Sequence, residues 1–282
     1  MALSDQLQLV NCGVAELADA QALSDAVGWN QTVDDWLLFI RHGKTTGYRN
    51  DRAKLVATAA ALAYGETKGW VSMVLVAEPW RHQGLATRLL NISIDHLRQC
   101  GATPHLDATP AGAPAYRKAG FAQGFTLSRW QGTATSSSTA GPASICRAER
   151  LDLEWAIPLD VAANGMERGF LLHDFLARAG TRAWAMRDRT GFVIRRQGRR
   201  AAQIGPLVAC DEHTATALLL AALDNTGGPV FLDLPDRWHG LAQALAGRGF
   251  VVQRSFVRMA LGGADLHAAN DTLFVLAGPE FG

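Results

Sequence analysis

The chain has 282 residues, 48% of them hydrophobic, and its 27 basic and 26 acidic residues leave a formal charge of +1. That length supports one or two domains with a sizeable core. The near-neutral balance gives no electrostatic footprint for nucleic acid or a membrane surface, so neither is an expected partner.

In chain order, Met1–Gln6 lacks the basic and apolar regions of a signal peptide. No apolar run reaches the roughly 18 residues of a membrane span. Cys12, Cys100, Cys146 and Cys210 are far apart, without a Cys-x-x-Cys pair, and the His residues do not cluster at ligand spacing. No metal site is therefore expected, and a reducing cytoplasm is the expected location. Thr32 with Asp35 three positions on forms a capping-box-like helix start. Its neighbours Trp29 and Trp36 read as packing residues.

Trp70–Val76 is an apolar, β-branched run that predicts a buried strand. Ala86, Leu89, Leu90, Ile94, Leu97 and Cys100 then recur at helical spacing, with Gly101 where a C-terminal cap belongs. The intervening Arg81-His82-Gln83-Gly84-Leu85-Ala86 is a basic, glycine-bearing turn that opens the helix. Such a turn aims backbone N–H groups outward at the positive helix end, where a phosphate fits, and Gly84 keeps the approach clear. A plain tight turn with a solvated Arg81 is the alternative.

The order strand, Arg-x-x-Gly-x-Ala, helix resembles the acetyl-CoA-binding motif of the GCN5-related N-acetyltransferase (GNAT) superfamily. Leu106–Phe121 resembles that family's next block: a strand end, a short helix carrying Tyr116, and Gly120-Phe121 opening another strand. The resemblance implies an α/β fold with a mixed sheet. It places Val74, Leu75 and Val76 beside the pantetheine arm, and Arg81, His82, Gln83, Gly84, Leu85, Ala86 and Thr87 around the pyrophosphate. Tyr116 matches the family's general acid. Acetyl-CoA is the implied donor, and a small-molecule or peptide amine the implied acceptor.

Gly132–Pro142 is small and polar, and reads as a linker. The expected organisation is a catalytic domain over 1–132, a linker over 133–144 and a second domain over 145–282. The halves echo one another. Leu75-Val76-Ala77 recurs 132 residues on as Leu207-Val208-Ala209, and Leu106-Asp107 recurs 126 on as Leu232-Asp233. Gly120-Phe121 returns 129 on as Gly249-Phe250. Thr214–Leu223 and Leu241–Leu245 are the second copy's helices. Its turn, Ala209–Thr214, lacks Arg-x-x-Gly-x-Ala and carries Asp211 and Glu212, whose charge competes with a phosphate. Nothing matches Tyr116. The expectation is two tandem acyl-CoA N-acyltransferase (GNAT-like) domains, the second degenerate, as a monomer with an internal pseudo-dimer or as a homodimer. Ile204–Ala209 and Phe274–Glu280 resemble bacterial tandem GNAT proteins.

Acetyl transfer needs a neutral amine, a stabilised oxyanion and a proton for the leaving thiolate. The resemblance assigns the second to a Val74–Val76 amide and the third to Tyr116. Full proton transfer from an ordinary phenol to a thiolate is uphill by about 2 kcal/mol, so hydrogen-bond donation is the role expected of Tyr116. No carboxylate stands on the strand as a base; Glu66 and Glu78 flank it and Asp107 has no assigned role. The other readings are a catalytically inactive CoA-ligand binding or regulatory module, and a Rossmann nucleotide binder, which the missing Gly-x-Gly-x-x-Gly disfavours.

Overall fold

The computed structural model describes residues 7–136, 142–148, 151–263 and 271–282. The chain divides into two compact units after His105. No helix of the described residues is long and apolar enough to cross a membrane.

The first unit holds β1 (Gln8–Asn11), α1 (Leu17–Ala26), α2 (Val33–His42), β2 (Lys44–Arg49), β3 (Leu55–Tyr64), β4 (Lys68–Val76), α3 (Leu85–Gln99) and the start of β5 (Thr103–Ala108). Strands β1 to β4 form an antiparallel meander, and β5 joins β4 in parallel. The expected capping box opens α2: Asp35 N–H donates to Thr32 Oγ1 at 3.3 Å, and Thr32 N–H to the Asp35 carboxylate at 2.8 Å. Trp36 is fully buried and donates from Nε1 to Ser24 Oγ at 3.1 Å, which satisfies its polar end, while Trp29 is half-buried. Helix α3 buries Leu85, Leu89, Leu90, Ser93, Ile94 and Leu97. Ala86, expected on that stripe, is exposed, because Leu85 holds the position one turn before Leu89. Gly101 has φ +76 and its N–H bonds the Arg98 carbonyl, the left-handed stop expected there.

The second unit holds the end of β5, α4 (Ala113–Lys118), β6 (Phe121–Ala134), β7 (Ile145–Ala148), α5 (Leu153–Asn164), α6 (Gly169–Ala177) and β8 (Arg182–Met186). It continues through β9 (Gly191–Arg196), β10 (Ala202–Ala209), α7 (Glu212–Asp224), β11 (Gly228–Pro235), α8 (His239–Gly247), β12 (Val251–Leu261) and β13 (Leu273–Val275). The plan repeats: β7 to β10 form an antiparallel meander and β11 joins β10 in parallel.

Strand β6 lies between β11 and β12, antiparallel to both. Gly132–Ala134, expected to begin the linker, are therefore strand, paired with Gly228–Val230. Two facts outweigh their loop-like composition. The edge of β11 needs partners for its backbone groups, and a side chain at Gly132 would strike the Phe250 ring, 2.5 Å from a Cβ there. Residues 137–141 of the expected linker lie outside the described residues.

The β6–β12 pairing carries the internal repeat. Leu127 faces Phe256, 129 residues on, and Ser128↔Ser255 mirrors Thr126↔Val257. A local two-fold axis therefore passes through the Leu127–Phe256 pair. The same operation relates two buried ion pairs. Arg129 Nε and Nη2 donate to the two Asp233 oxygens at 2.8 and 2.9 Å. Arg258 does the same to Asp107, at 2.9 Å for both bonds. Gln203 Nε2 adds a bond of 2.8 Å to Asp233 Oδ2. Arg129→Met leaves the fully buried Asp233 carboxylate without its cation, so unfolding free energy in urea should fall by about 3–5 kcal/mol. Arg129→Met with Asp233→Leu should recover most of that loss. A single variant as stable as wild type would mean that the pair contributes nothing.

Candidate active site

In the first unit, β4 pairs with β5 only over Lys68–Trp70, opposite Thr103–His105. The ladder then stops, leaving the β4 backbone from Val71 onward outside it. On the other edge, Ser72 faces Ala60 and Leu75 faces Thr58, so Met73 and Val74 have no register partner on β3. Met73 has φ +53, a left-handed conformation that a residue with a Cβ rarely takes. Thr58 Oγ1 holds the bulge by donating to the Met73 carbonyl at 2.9 Å. The buried Ser72 hydroxyl beside it has no hydrogen-bond partner in the structure.

After β4 the chain makes one 3₁₀ turn, Glu78–Trp80, and reverses through two left-handed residues, His82 at φ +62 and Gly84 at φ +78. Arg81 Nε donates to the Val76 carbonyl at 3.2 Å and Gln83 Nε2 to the Pro79 carbonyl at 3.3 Å, which ties the loop to the strand end. Helix α3 begins with no side-chain cap on Gly84, and its first backbone bond runs from Arg88 N–H to Gly84 O. The amides of Leu85, Ala86 and Thr87 thus lack helical acceptors, at the positive end of a 15-residue helix. A Cβ built on Gly84 meets nothing within 4 Å, so the approach to those amides is open. Arg81, His82, Gly84, Ala86 and Thr87 are all exposed there. Such a cradle can hold a phosphate or pyrophosphate, and a β4 edge without ladder can pair with an extended amide-bearing chain.

The second copy differs at the matching helix. Asp211 caps α7, accepting Thr214 N–H at 2.7 Å, and that bond is the main reason its carboxyl lies below the ordinary range. One of the amides open at the start of α3 thus has its counterpart on α7 already satisfied by a carboxylate.

Tyr116 lies in the second unit on α4, edge-on to Phe121 with ring centroids 6.0 Å apart. The residue is half-buried overall, yet burial pushes its phenol up to about 12. Asp107 is engaged on both oxygens by Arg258; burial raises its carboxyl and the guanidinium partly offsets this. With both oxygens committed to Arg258, it is not a free base. Glu66 and Glu78 are exposed. Sequence reasoning missed the Met73 bulge, because Gly or Asn is the usual sign of a left-handed residue. It also missed the partner of Asp107, although the repeat offset could have paired Arg129 with Arg258.

Two family models match the chain: Acetyltransferase (GNAT) family over residues 16–121, and Acetyltransferase (GNAT) domain over residues 156–275. The chain belongs to the GNAT superfamily. It is a tandem GNAT protein and an acyltransferase by family. The uncharacterized N-acetyltransferase YitH of Bacillus subtilis is 24% identical over 234 residues, spanning 81% of this chain and 82% of YitH. A structure from Pyrococcus horikoshii, named as a candidate acetyltransferase, superposes with a TM-score of 0.82 at 18% identity, covering 98% of this chain and 96% of its own. A tandem GNAT protein from the clavulanic acid biosynthesis pathway gives a TM-score of 0.63 at 16% identity, with 90% and 98% covered. These two structural likenesses support the tandem GNAT fold.

Proposed function

We propose that the first copy, residues 1–132, moves an acetyl group from acetyl-CoA to a primary amine of a small molecule or peptide by direct transfer. The observation that carries this reading is the uncapped, unobstructed start of α3, set against the capped start of α7. In this reading the Val74, Leu75 and Val76 backbone pairs with pantetheine. The His82–Thr87 backbone holds the pyrophosphate, with Arg81 at its rim.

Acetyl-CoA supplies an activated thioester. The amine nitrogen forms the new C–N bond as the C–S bond breaks, and the nitrogen's proton leaves to solvent water. The Val74 amide, without a register partner at the bulge, donates to the developing oxyanion. Tyr116, assigned by its motif match, donates a hydrogen bond to the departing sulfur. Joining the first copy to a degenerate copy over 145–282 through residues 135–144, with Thr133 and Ala134 ending β6, completes the proposed organisation.

The test is a panel of primary amines with acetyl-CoA, reading free thiol and the acetylated product by mass. Amine-dependent thiol release with an acetylated product supports transfer. Tight acetyl-CoA binding with no consumption across small-molecule and peptide amines would point instead to an inactive CoA-binding module.

A further inference from the structure

Strands β10 and β11 pair in parallel only over Ala202–Ile204 and Val230–Leu232. Beyond that point β10 carries a register shift against β9 between Ile204 and Leu207, with Gly205 at φ +135. The repeat offset of 132 places Gly205 opposite Met73, so both copies bulge at the same strand position. The space where β10 and β11 part is filled by the chain itself.

Strand β13 pairs with β10, Leu207 facing Val275 and Val208 facing Leu273. Ala209 N–H donates to the Thr272 carbonyl at 3.0 Å, and Leu276 N–H to the Asp233 carbonyl of β11 at 2.9 Å. Trp238 Nε1 closes the end by donating to the Leu273 carbonyl at 2.8 Å. Phe274, Val275, Leu276 and Ala277 are all fully buried. A Cβ at Gly205 would collide with the Leu276 carbonyl oxygen, so the segment is seated against the bulge itself.

We propose that the second copy is self-liganded. Residues 272–277 occupy the groove that corresponds to the pantetheine groove of the first copy, and the Asp211 carboxylate stands where the pyrophosphate would bind. The segment is held by strand addition: main-chain bonds to both flanking strands, with side chains buried on either side. The consequence is a chain that takes one acyl-CoA, in the first copy only. The stoichiometry rests on the acetyl-CoA reading of that copy, whereas the filling of the second groove does not.

Two measurements on the full-length wild-type chain test this. Native mass spectrometry with excess CoA should show one CoA per chain. Hydrogen exchange should show the Leu276 amide slowed by at least about 100-fold relative to an unstructured chain, and no less protected in saturating CoA. Two CoA molecules per chain would overturn the proposal, as would a Leu276 amide that exchanges freely or loses its protection when CoA is added. No CoA bound at all, with Leu276 protected, would overturn the acetyl-CoA reading and support the filled groove.

Discussion

Gly84→Glu is expected to weaken acetyl-CoA binding by at least about 100-fold, or about 2.7 kcal/mol, while the chain stays folded. A Cβ at this position meets no atom within 4 Å, so the substitution creates no collision. Its φ of +78 does impose backbone strain, which should lower unfolding stability by about 1–2 kcal/mol. The carboxylate would stand before the amides of Leu85, Ala86 and Thr87, repel a pyrophosphate and accept the bonds meant for it. Gly84→Ala carries the same strain without the charge and should lose less than about tenfold in affinity. Calorimetric titrations beside thermal melts separate the two effects. Wild-type affinity in a folded Gly84→Glu chain would place the phosphate elsewhere.

Tyr116→Phe should lower kcat by about 100-fold and leave acetyl-CoA affinity within about twofold. The hydroxyl is the only group removed, and the ring keeps its edge contact with Phe121. With the phenol pushed up to about 12, complete proton transfer to a thiolate of ordinary pKa, about 8.5, is uphill by about 5 kcal/mol. Donating a hydrogen bond in the transition state carries no such penalty. The pH dependence follows from the sign of the shift. A raised phenol stays neutral throughout the range below its ordinary value of 10 and ionises only near 12. Tyr116 should therefore produce no alkaline fall in kcat below pH 10. Full turnover of Tyr116→Phe at every pH would remove Tyr116 from the mechanism. A fall centred near pH 9 that the Phe variant loses would contradict the raised phenol.

Local chemistry made much of this molecule legible. Apolar β-branched residues gave β4, helical spacing gave α3, and Thr32 with Asp35 gave the start of α2, each decided within a few residues of sequence. Gly120-Phe121 and its echo at Gly249-Phe250 carried more: their offset is the one that maps the β6–β12 register onto itself through Leu127 and Phe256. What stayed hidden depends on distant partners. The loop-like Gly132–Ala134 become strand because β11 and Phe250 await them. Met73 turns left-handed with no glycine to announce it, and Leu273–Leu276 enters a groove formed by strands far earlier in the chain. At the candidate site, the Gly84 turn was readable because its function lies in the backbone of one short stretch. A general base was not, and Asp107, a carboxylate to which the sequence assigned no role, is already bound by Arg258.

The most direct test is a calorimetric titration of the full-length wild-type chain with acetyl-CoA, repeated in the presence of excess CoA. Saturable binding that CoA competes away is the predicted result, since the pyrophosphate and pantetheine common to both ligands make the proposed contacts. A folded chain that shows no heat with acetyl-CoA, and no thermal stabilisation by it, would contradict the assignment of the β4–α3 cradle as an acyl-CoA site.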